Sequence, residues 1–497
     1  MPDVINVEQI NAVYLKINTE SSVKFELEAY FKFQPQGYQF NPSYKNRVWD
    51  GWIRIFQPMK PVLYVGLFSK LRKFCEDRGY ELNAPDHLMH GEKVPDDYGY
   101  EMAKEVGCKF EPRDYQNQYI VDAIRDSRSL SLSPTSSGKS LIIYLIQQHY
   151  YRAFEHRTLI IVPTISLVHQ MAGDFVDYGC DPSHIYKIQG GIDKNTDAPI
   201  VVSTWQSLIK LRKDWFSQFK VVLGDEAHLF QAKSLQKIME GLDECYYRHG
   251  FTGTLKSEES KTHRLVLEGC FGSVRKHVST KDLMDAGTIA DFNIKAIVLS
   301  HSIENRKAFK KAIGKVQNTS QKYPAEREYI TNNNKRNVFI RNLLWSLEGQ
   351  NNLVLFDLVE KHGKLLEPML RKDGRQLHFI YGATKGEERE RIRHMIENDP
   401  IKQHDILASF GTFSTGINLK KLDNVIFASG SKSEVKVLQS IGRALRKGND
   451  ADKATLYDIA DDLSVGAYQN YTLQHFRKRI EIYGAEQFSV KIYTVNI

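Results

Sequence analysis

The stretch SPTSSGKS, Ser133 to Ser140, constrains this chain more than any other. It follows a short run beginning at Leu130 that reads as a strand, and it opens onto LIIYLIQQHYYRAF, whose apolar spacing suits a buried helix. A strand, a loop of small residues ending Gly-Lys-Ser, and then a helix form a cradle for phosphate. Small residues let backbone N–H groups converge on phosphate oxygens, and the helix N-terminus adds its dipole. Lys139 would reach the β- and γ-phosphates, and the Ser140 hydroxyl would ligate Mg²⁺, so ATP is the expected ligand. Pro134, Thr135, Ser136, Ser137 and Gly138 make up the rest of the loop, and Ser133 stands where the usual pattern begins with glycine.

A second stretch supports that reading. Residues 220–228 read KVVLGDEAH, a β-rich run ending in adjacent carboxylates. Asp225 is placed to hold Mg²⁺, and Glu226 to orient and deprotonate an attacking water, with His228 closing the group. Upstream of the cradle, FEPRDYQ offers Gln116, whose amide can bond both edges of adenine. Phe110 or Arg113 could stack on or anchor the same nucleotide.

Three further strand ends carry hydroxyls or exposed helix starts, features that can hold the phosphates of a bound strand. They are Pro163 and Thr164 in TLIIVPTISLVHQ, Thr204 and Trp205 in APIVVSTWQSL, and Thr252 in HGFTGTLK. Strand ends of this kind face the working edge of a doubly wound sheet.

The length of 497 residues fits about three domains. No apolar run is long enough to cross a bilayer, and the early Asp3 and Glu8 argue against a signal peptide, so a cytoplasmic placement without membrane is expected. Five cysteines show no CxxC pair and no ligand spacing, which points to reduced thiols and no structural zinc. The net charge of +8 is uneven. From Lys295 to Arg341 there are eleven Lys/Arg against three Glu. Such a segment, with Lys310 and Lys311 inside it, suits either DNA-backbone contact or a solvated helix face.

Residues 1–90 form a small α+β unit. Ser21 or Ser22 could cap its first helix, and Asp50-Gly51, set between two Trp-containing runs, signals a hairpin. Lys70, Arg72 and Lys73 on its last helix could form a basic face, beside tryptophans that serve equally as DNA platform or core. Residues 91–109 read as a linker, 110–285 as a first α/β domain and 286–340 as an irregular basic connection. Residues 341–465 alternate strand and helix signals as a second α/β domain without a GKS loop, and 466–497 as a C-terminal helix and tail packing on it. In VLQSIGRALRKG, Arg443 and Arg446 share a helix face, a spacing that suits arginine fingers on a γ-phosphate. Thr415, Gly416 and Asn418 end another strand and could touch ribose or a DNA phosphate.

The ordered motifs resemble superfamily 2 helicases of the DEAH-box type, with two tandem RecA-like parallel-sheet domains. RDYQ is similar to the Q motif, SPTSSGKS to motif I, VPTISLVHQ to motif Ia, DEAH to motif II and TGT to motif III. LVLF, STGINL and QSIGRALRKG are similar to motifs IV, V and VI, the last containing Gln439. Two departures stand out: Ser136 replaces a common glycine, and TGT replaces SAT, which is nearer to DNA translocases than to RNA-processing members. The resemblance implies an ATP-dependent, Mg²⁺-dependent helicase; a monomer is the expected working form. Its expected substrates are forked, branched or duplex DNA and R-loops, and hence an RNA–DNA hybrid, with the N-terminal unit as an accessory DNA-binding domain. An RNA-unwinding ATPase and an ATP-switched clamp are the alternatives.

Overall fold

The computed structural model describes residues 3–35, 37–255, 261–289, 291–399, 403–416, 422–429 and 453–497. They fall into two units, Met1–Val278 and Ser279–Ile497.

The first unit begins with β1 (Val4–Gln9), β2 (Tyr14–Asn18), β3 (Lys32–Phe33), β4 (Ile53–Arg54), β5 (Val62–Tyr64) and β6 (Glu81–Asn83). Four of these make a mixed sheet in the order β5-β2-β1-β6, with β1 antiparallel to β2 and parallel to β6. Alternation along β2 turns Leu15 and Ile17 inward. They meet Val23 and Leu27 of the helix Ser21–Tyr30, and Leu71 and Phe74 of the helix Phe68–Arg78. Neither expected serine caps the first helix, because Glu20 occupies the cap position without a side-chain bond. The Asp50-Gly51 hairpin is also absent. Gly51 instead takes φ +85°, and a Cβ there would come within 2.6 Å of the Tyr38 ring.

The stretch expected as a linker contains the helix Tyr98–Glu105. Asn117 ties it down, donating to the Asp96 carbonyl at 2.6 Å and accepting from the Gly99 N–H at 2.8 Å.

Then comes a parallel sheet of β7 (Arg128–Leu132), β8 (Thr158–Val162), β9 (Ile185–Ile188), β10 (Ile200–Thr204), β11 (Val221–Asp225), β12 (Tyr247–Thr252) and β13 (Val274–Arg275), in the order β13-β7-β12-β11-β8-β10-β9. Every residue of β8, β10 and β11 is buried, as expected of strands covered by helices on both faces. Register aligns the strand ends: Leu132 lies opposite Thr252, Phe251 opposite Asp225, and Val162 opposite Thr204. The phosphate loop, the acid pair and TGT therefore share the carboxyl edge of one sheet.

The second unit has its own parallel sheet. It comprises β14 (Asp291–Ser300), β15 (Asn352–Phe356), β16 (Gln376–Ile380), β17 (His404–Ser409), β18 (Asn424–Phe427), β19 (Lys453–Asp462) and β20 (Ser489–Asn496). The order is β16-β17-β15-β18-β19-β14-β20. Both units thus carry the doubly wound α/β architecture expected of RecA-like domains.

The basic stretch expected as an irregular connection instead supplies β14 and the helices Ile303–Gly314, Thr319–Thr331 and Asn334–Ser346. Three of its arginines are paired internally. Arg336 is 2 % exposed and bonds Asp461 through Nε at 2.8 Å. Arg306 pairs with Asp462 at 3.2 Å, and Arg327 pairs with Asp357. The tail also does more than pack on the sheet. The helix Tyr471–Ala485 is anchored by Arg479 and Tyr483 on Asp458, and β20 extends the sheet beyond β14.

Two buried histidines make stability depend on pH. His249, held by Ser129 at 3.0 Å and Tyr150 at 3.3 Å, is lowered to about 3 by burial. His362, 3.0 Å from Ser429, is also lowered to about 3, again by burial first. Between about pH 6.5 and 3 the unfolded chain binds protons that these folded residues do not, so stability falls as pH falls through that window. Each contributes on the order of 1.4 kcal/mol per pH unit there. The melting temperature should decline from pH 6.5 to 5, and His249→Asn should flatten the profile. A wild-type profile level across that range would contradict the assignment.

Candidate active site

The loop at the end of β7 reaches its shape through two residues with positive φ, Ser136 at +69° and Gly138 at +78°. Ser136 stands where related loops have glycine, and it adopts the left-handed conformation that glycine would take freely. Inside the loop, the Ser133 and Ser137 hydroxyls lie 2.6 Å apart, and Ser137 Oγ also donates to the Pro134 carbonyl at 2.7 Å. Lys139 opens the helix Lys139–Phe154, and its Nζ donates to the carbonyls of Ser133 and Pro134, both at 3.3 Å. The ammonium is thus folded over the mouth of the loop.

Gln116 braces this loop from behind. Its side-chain oxygen accepts from the Arg113 N–H at 2.8 Å, and its Nε2 donates to the Ser137 carbonyl at 2.9 Å. A Cβ on Gly138 would come within 2.3 Å of that Nε2. Alanine there also meets a left-handed penalty of about 1–2 kcal/mol. Gly138→Ala should therefore weaken ATP binding by about tenfold, as read by titration with a fluorescent nucleotide. Unchanged affinity would show that the loop tolerates the shift.

Two tyrosines at this site were not read from the sequence. Tyr115 donates to the Ser137 carbonyl at 3.0 Å while accepting from Arg113, and Tyr178 lies 2.7 Å from the Ser140 hydroxyl. Phe110, 52 % exposed, packs edge-on against Tyr178. Tyr115 could have been noticed beside Gln116. Tyr178 ends a helix well downstream and has no local signal.

At the end of β11, Asp225 accepts the Glu226 N–H at 2.9 Å. Burial, then the charge of Glu226, push Asp225 up to about 6, with Lys139 opposing. Glu226 sits in the left-handed region at φ +50°, so backbone strain is stored at this turn. Its carboxylate lies 3.3 Å from His228 Nδ1. That same nitrogen lies 3.0 Å from the Thr252 hydroxyl, which donates to the Thr254 carbonyl at 2.9 Å.

Thr252 is fully buried, so its hydroxyl is spent within the lobe and this geometry does not support the strand contact expected of it. Trp205 likewise packs on the core of the sheet. Thr204 is buried, with its hydroxyl 3.2 Å from Ser207. Pro163 is partly exposed, and Thr164 caps the helix Ile165–Tyr178. Lys70 is engaged by Glu268 at 3.0 Å and Arg72 lies 3.7 Å from Glu76, while Lys73 is exposed. Lys310 and Lys311 are exposed on the helix Ile303–Gly314. Thr415 and Gly416 end the helix Phe410–Gly416. Asn418, Gln439, Arg443 and Arg446 lie outside the described residues.

Three family models match this chain in succession. They are "DNA helicase UvsW, N-terminal" over residues 4–84, "Type III restriction enzyme, res subunit" over 109–257, and "Helicase conserved C-terminal domain" over 334–448. The chain is 35% identical over 506 residues to the ATP-dependent DNA helicase uvsW of Enterobacteria phage T4, spanning 97% of this chain and 98% of that one. It is 27% identical over 222 residues to the DNA 3'-5' translocase XPB2 of Sulfurisphaera tokodaii, 44% of this chain and 46% of that one. The crystal structure of T4 UvsW superposes with a TM-score of 0.51 at 32% identity, covering 99% of both chains. S. cerevisiae Dbp5 bound to RNA and ADP BeF3 superposes at 0.54 with 12% identity, over 81% of this chain and 94% of that one, a likeness of fold alone. The chain therefore belongs to the UvsW family of superfamily 2 ATP-dependent DNA helicases.

Proposed function

We propose that this helicase remodels branched DNA, unwinding forks, Holliday junctions, D-loops and R-loops in recombination, repair and replication restart. The observation that carries the motor chemistry is the shared sheet edge, where Leu132 lies opposite Thr252 and Phe251 opposite Asp225. That register brings the phosphate loop, Lys139, Asp225 and Glu226 to one edge, as hydrolysis of a nucleotide triphosphate needs.

ATP would lie against the backbone of Pro134 to Gly138, with Lys139 turning from the loop carbonyls to the β- and γ-phosphates. Gln116 is buried with its amide bonded to the Arg113 N–H and the Ser137 carbonyl, so it would reach the adenine only by exchanging those bonds, with Phe110 and Arg113 flanking the base. Ser140 and Asp225 would hold Mg²⁺. The fit is chemical: a hydroxyl and one buried carboxylate, whose charge burial and Glu226 make costly, suit a cation that draws its remaining ligands from phosphate and water. When bound, that ion neutralises charge on the phosphates.

Glu226 would take the proton of the attacking water, with His228 linking it to Thr252 and so to motif III. Arg443, Arg446, Gln439, Gly416 and Asn418 would complete the nucleotide contacts. Pro163, Thr164, Thr415, Lys310 and Lys311 would grip DNA phosphates, contacts that carry no sequence information and imply selectivity for shape. Among the described residues no helix is long and apolar enough to cross a membrane. The proposed setting is the cytoplasm, that of the host cell if a phage encodes the chain, and the proposed working form is a monomer.

The test is ATPase rate across single-stranded, duplex, forked and four-way DNAs, with RNA alongside. Strongest stimulation by forked and four-way DNA is expected. Equal or greater stimulation by RNA would overturn the reading.

A further inference from the structure

We propose that the loop 37–52 in the N-terminal sheet domain is the element that meets the branch point of a DNA junction, stacking on the exposed base there. The proposal rests on the reading of the chain as a branched-DNA motor. β3 and β4 pair as a short antiparallel ribbon, and the residues between them form one long loop with an interior of its own. Tyr38 and Tyr44 pack edge to face at 4.9 Å, with Gly51 pressed beneath them. Trp49 Nε1 donates to the Trp52 carbonyl at 2.8 Å, and Asn41 caps the turn Pro42–Lys45 through the Ser43 N–H at 2.9 Å. The loop's shape is thus held by residues other than those it displays.

It displays Phe40, 71 % exposed, and Val48, 81 % exposed, together with exposed Lys45 and Arg47. Neither of these cations has an ion pair among the described residues. The loop's single acid, Asp50, is neutralised by Arg54. An exposed ring beside cations that have no ion pair among the described residues contributes little to folding, and that combination suits a nucleic-acid contact.

The chemistry fits nucleic acid, because aromatic rings take bases and flanking cations take phosphates. It fits a branch point more closely than a continuous duplex, whose stacked bases show an apolar side chain no open face without unstacking. A groove of about 610 Å³ is lined by Asn41, Ser43, Val48 and Trp49 of the loop together with Lys233 and Gln236. The latter two lie just beyond the acid pair in sequence. The groove is mostly apolar, with Phe33, Ile53, Ile55 and Met239 also lining it, and its volume is enough to receive a base displaced at the branch.

Phe40→Ala/Val48→Ser and Lys45→Glu/Arg47→Glu, made in the full chain, test this. All four residues are exposed, so the fold should tolerate both variants. The apolar variant should keep ATPase stimulation by linear duplex DNA within about twofold of wild type and lose at least tenfold in unwinding of a four-way junction. The charge variant should weaken junction binding with a shallower salt dependence. A 2-aminopurine at the branch should dim on binding wild type without ATP, as its base stacks on Phe40, and should not dim on binding the apolar variant. Junction unwinding within twofold of wild type would overturn the proposal, as would an equal loss of duplex-stimulated ATPase. Absence of any DNA-stimulated ATPase in wild type would overturn the motor reading itself, and this proposal with it.

Discussion

Lys139→Ala is expected to reduce ATP hydrolysis by about a thousandfold or more while leaving DNA binding within a few fold. Lys139 begins the helix that follows the phosphate loop, and its ammonium lies 3.3 Å from the carbonyls of Ser133 and Pro134. Charge that develops on the transferring phosphoryl group would be met by this cation in a partly buried setting, where electrostatic interactions are strong. Alanine retains the helix start and removes the charge, so the loss should fall on turnover. Its effect on DNA binding should be small, because the proposed strand contacts at Pro163, Thr164 and Lys310 lie on other elements. Steady-state ATPase and a DNA-binding titration on the same preparation check both halves. Retained turnover would remove Lys139 from the site.

Glu226→Gln should lower hydrolysis by about two to four orders of magnitude and leave a complex that binds ATP without consuming it. The strained φ of +50° aims this side chain, and its carboxylate sits 3.3 Å from His228 Nδ1. Glutamine keeps the size and removes the proton acceptor. A trapped nucleotide, measured by filter binding alongside ATPase, is the expected signature. Normal turnover would mean that another group activates the water.

The candidate catalytic edge was legible because its residues are local in sequence. A strand, a GKS loop and a helix occupy one continuous stretch, and so does the strand ending in Asp225 and Glu226. What the sequence hid depends on distant partners. The basic segment 295–341 reads as DNA contact or solvated face, yet Arg306, Arg327 and Arg336 within it pair with Asp462, Asp357 and Asp461, distant in sequence. Thr252 ends a strand at the working edge, but its hydroxyl turns inward to His228 and Thr254. The Asp50-Gly51 pair carries a hairpin signal, and packing of Tyr38 over Gly51 makes it part of a longer loop. β20 escaped notice because it is an edge strand with mostly exposed residues and no apolar run. Ser136 shows in the sequence only as a replaced glycine, and the strained φ of +69° it holds has no local signal.

The central claim is that hydrolysis at the edge formed by Lys139, Asp225 and Glu226 powers strand separation. Its most direct test is displacement of a labelled strand from forked DNA by the wild-type protein, with ATP and then with a non-hydrolysable analogue. Displacement with ATP and none with the analogue is the predicted result. Equal displacement with both would show that nucleotide only switches binding, and would contradict the account.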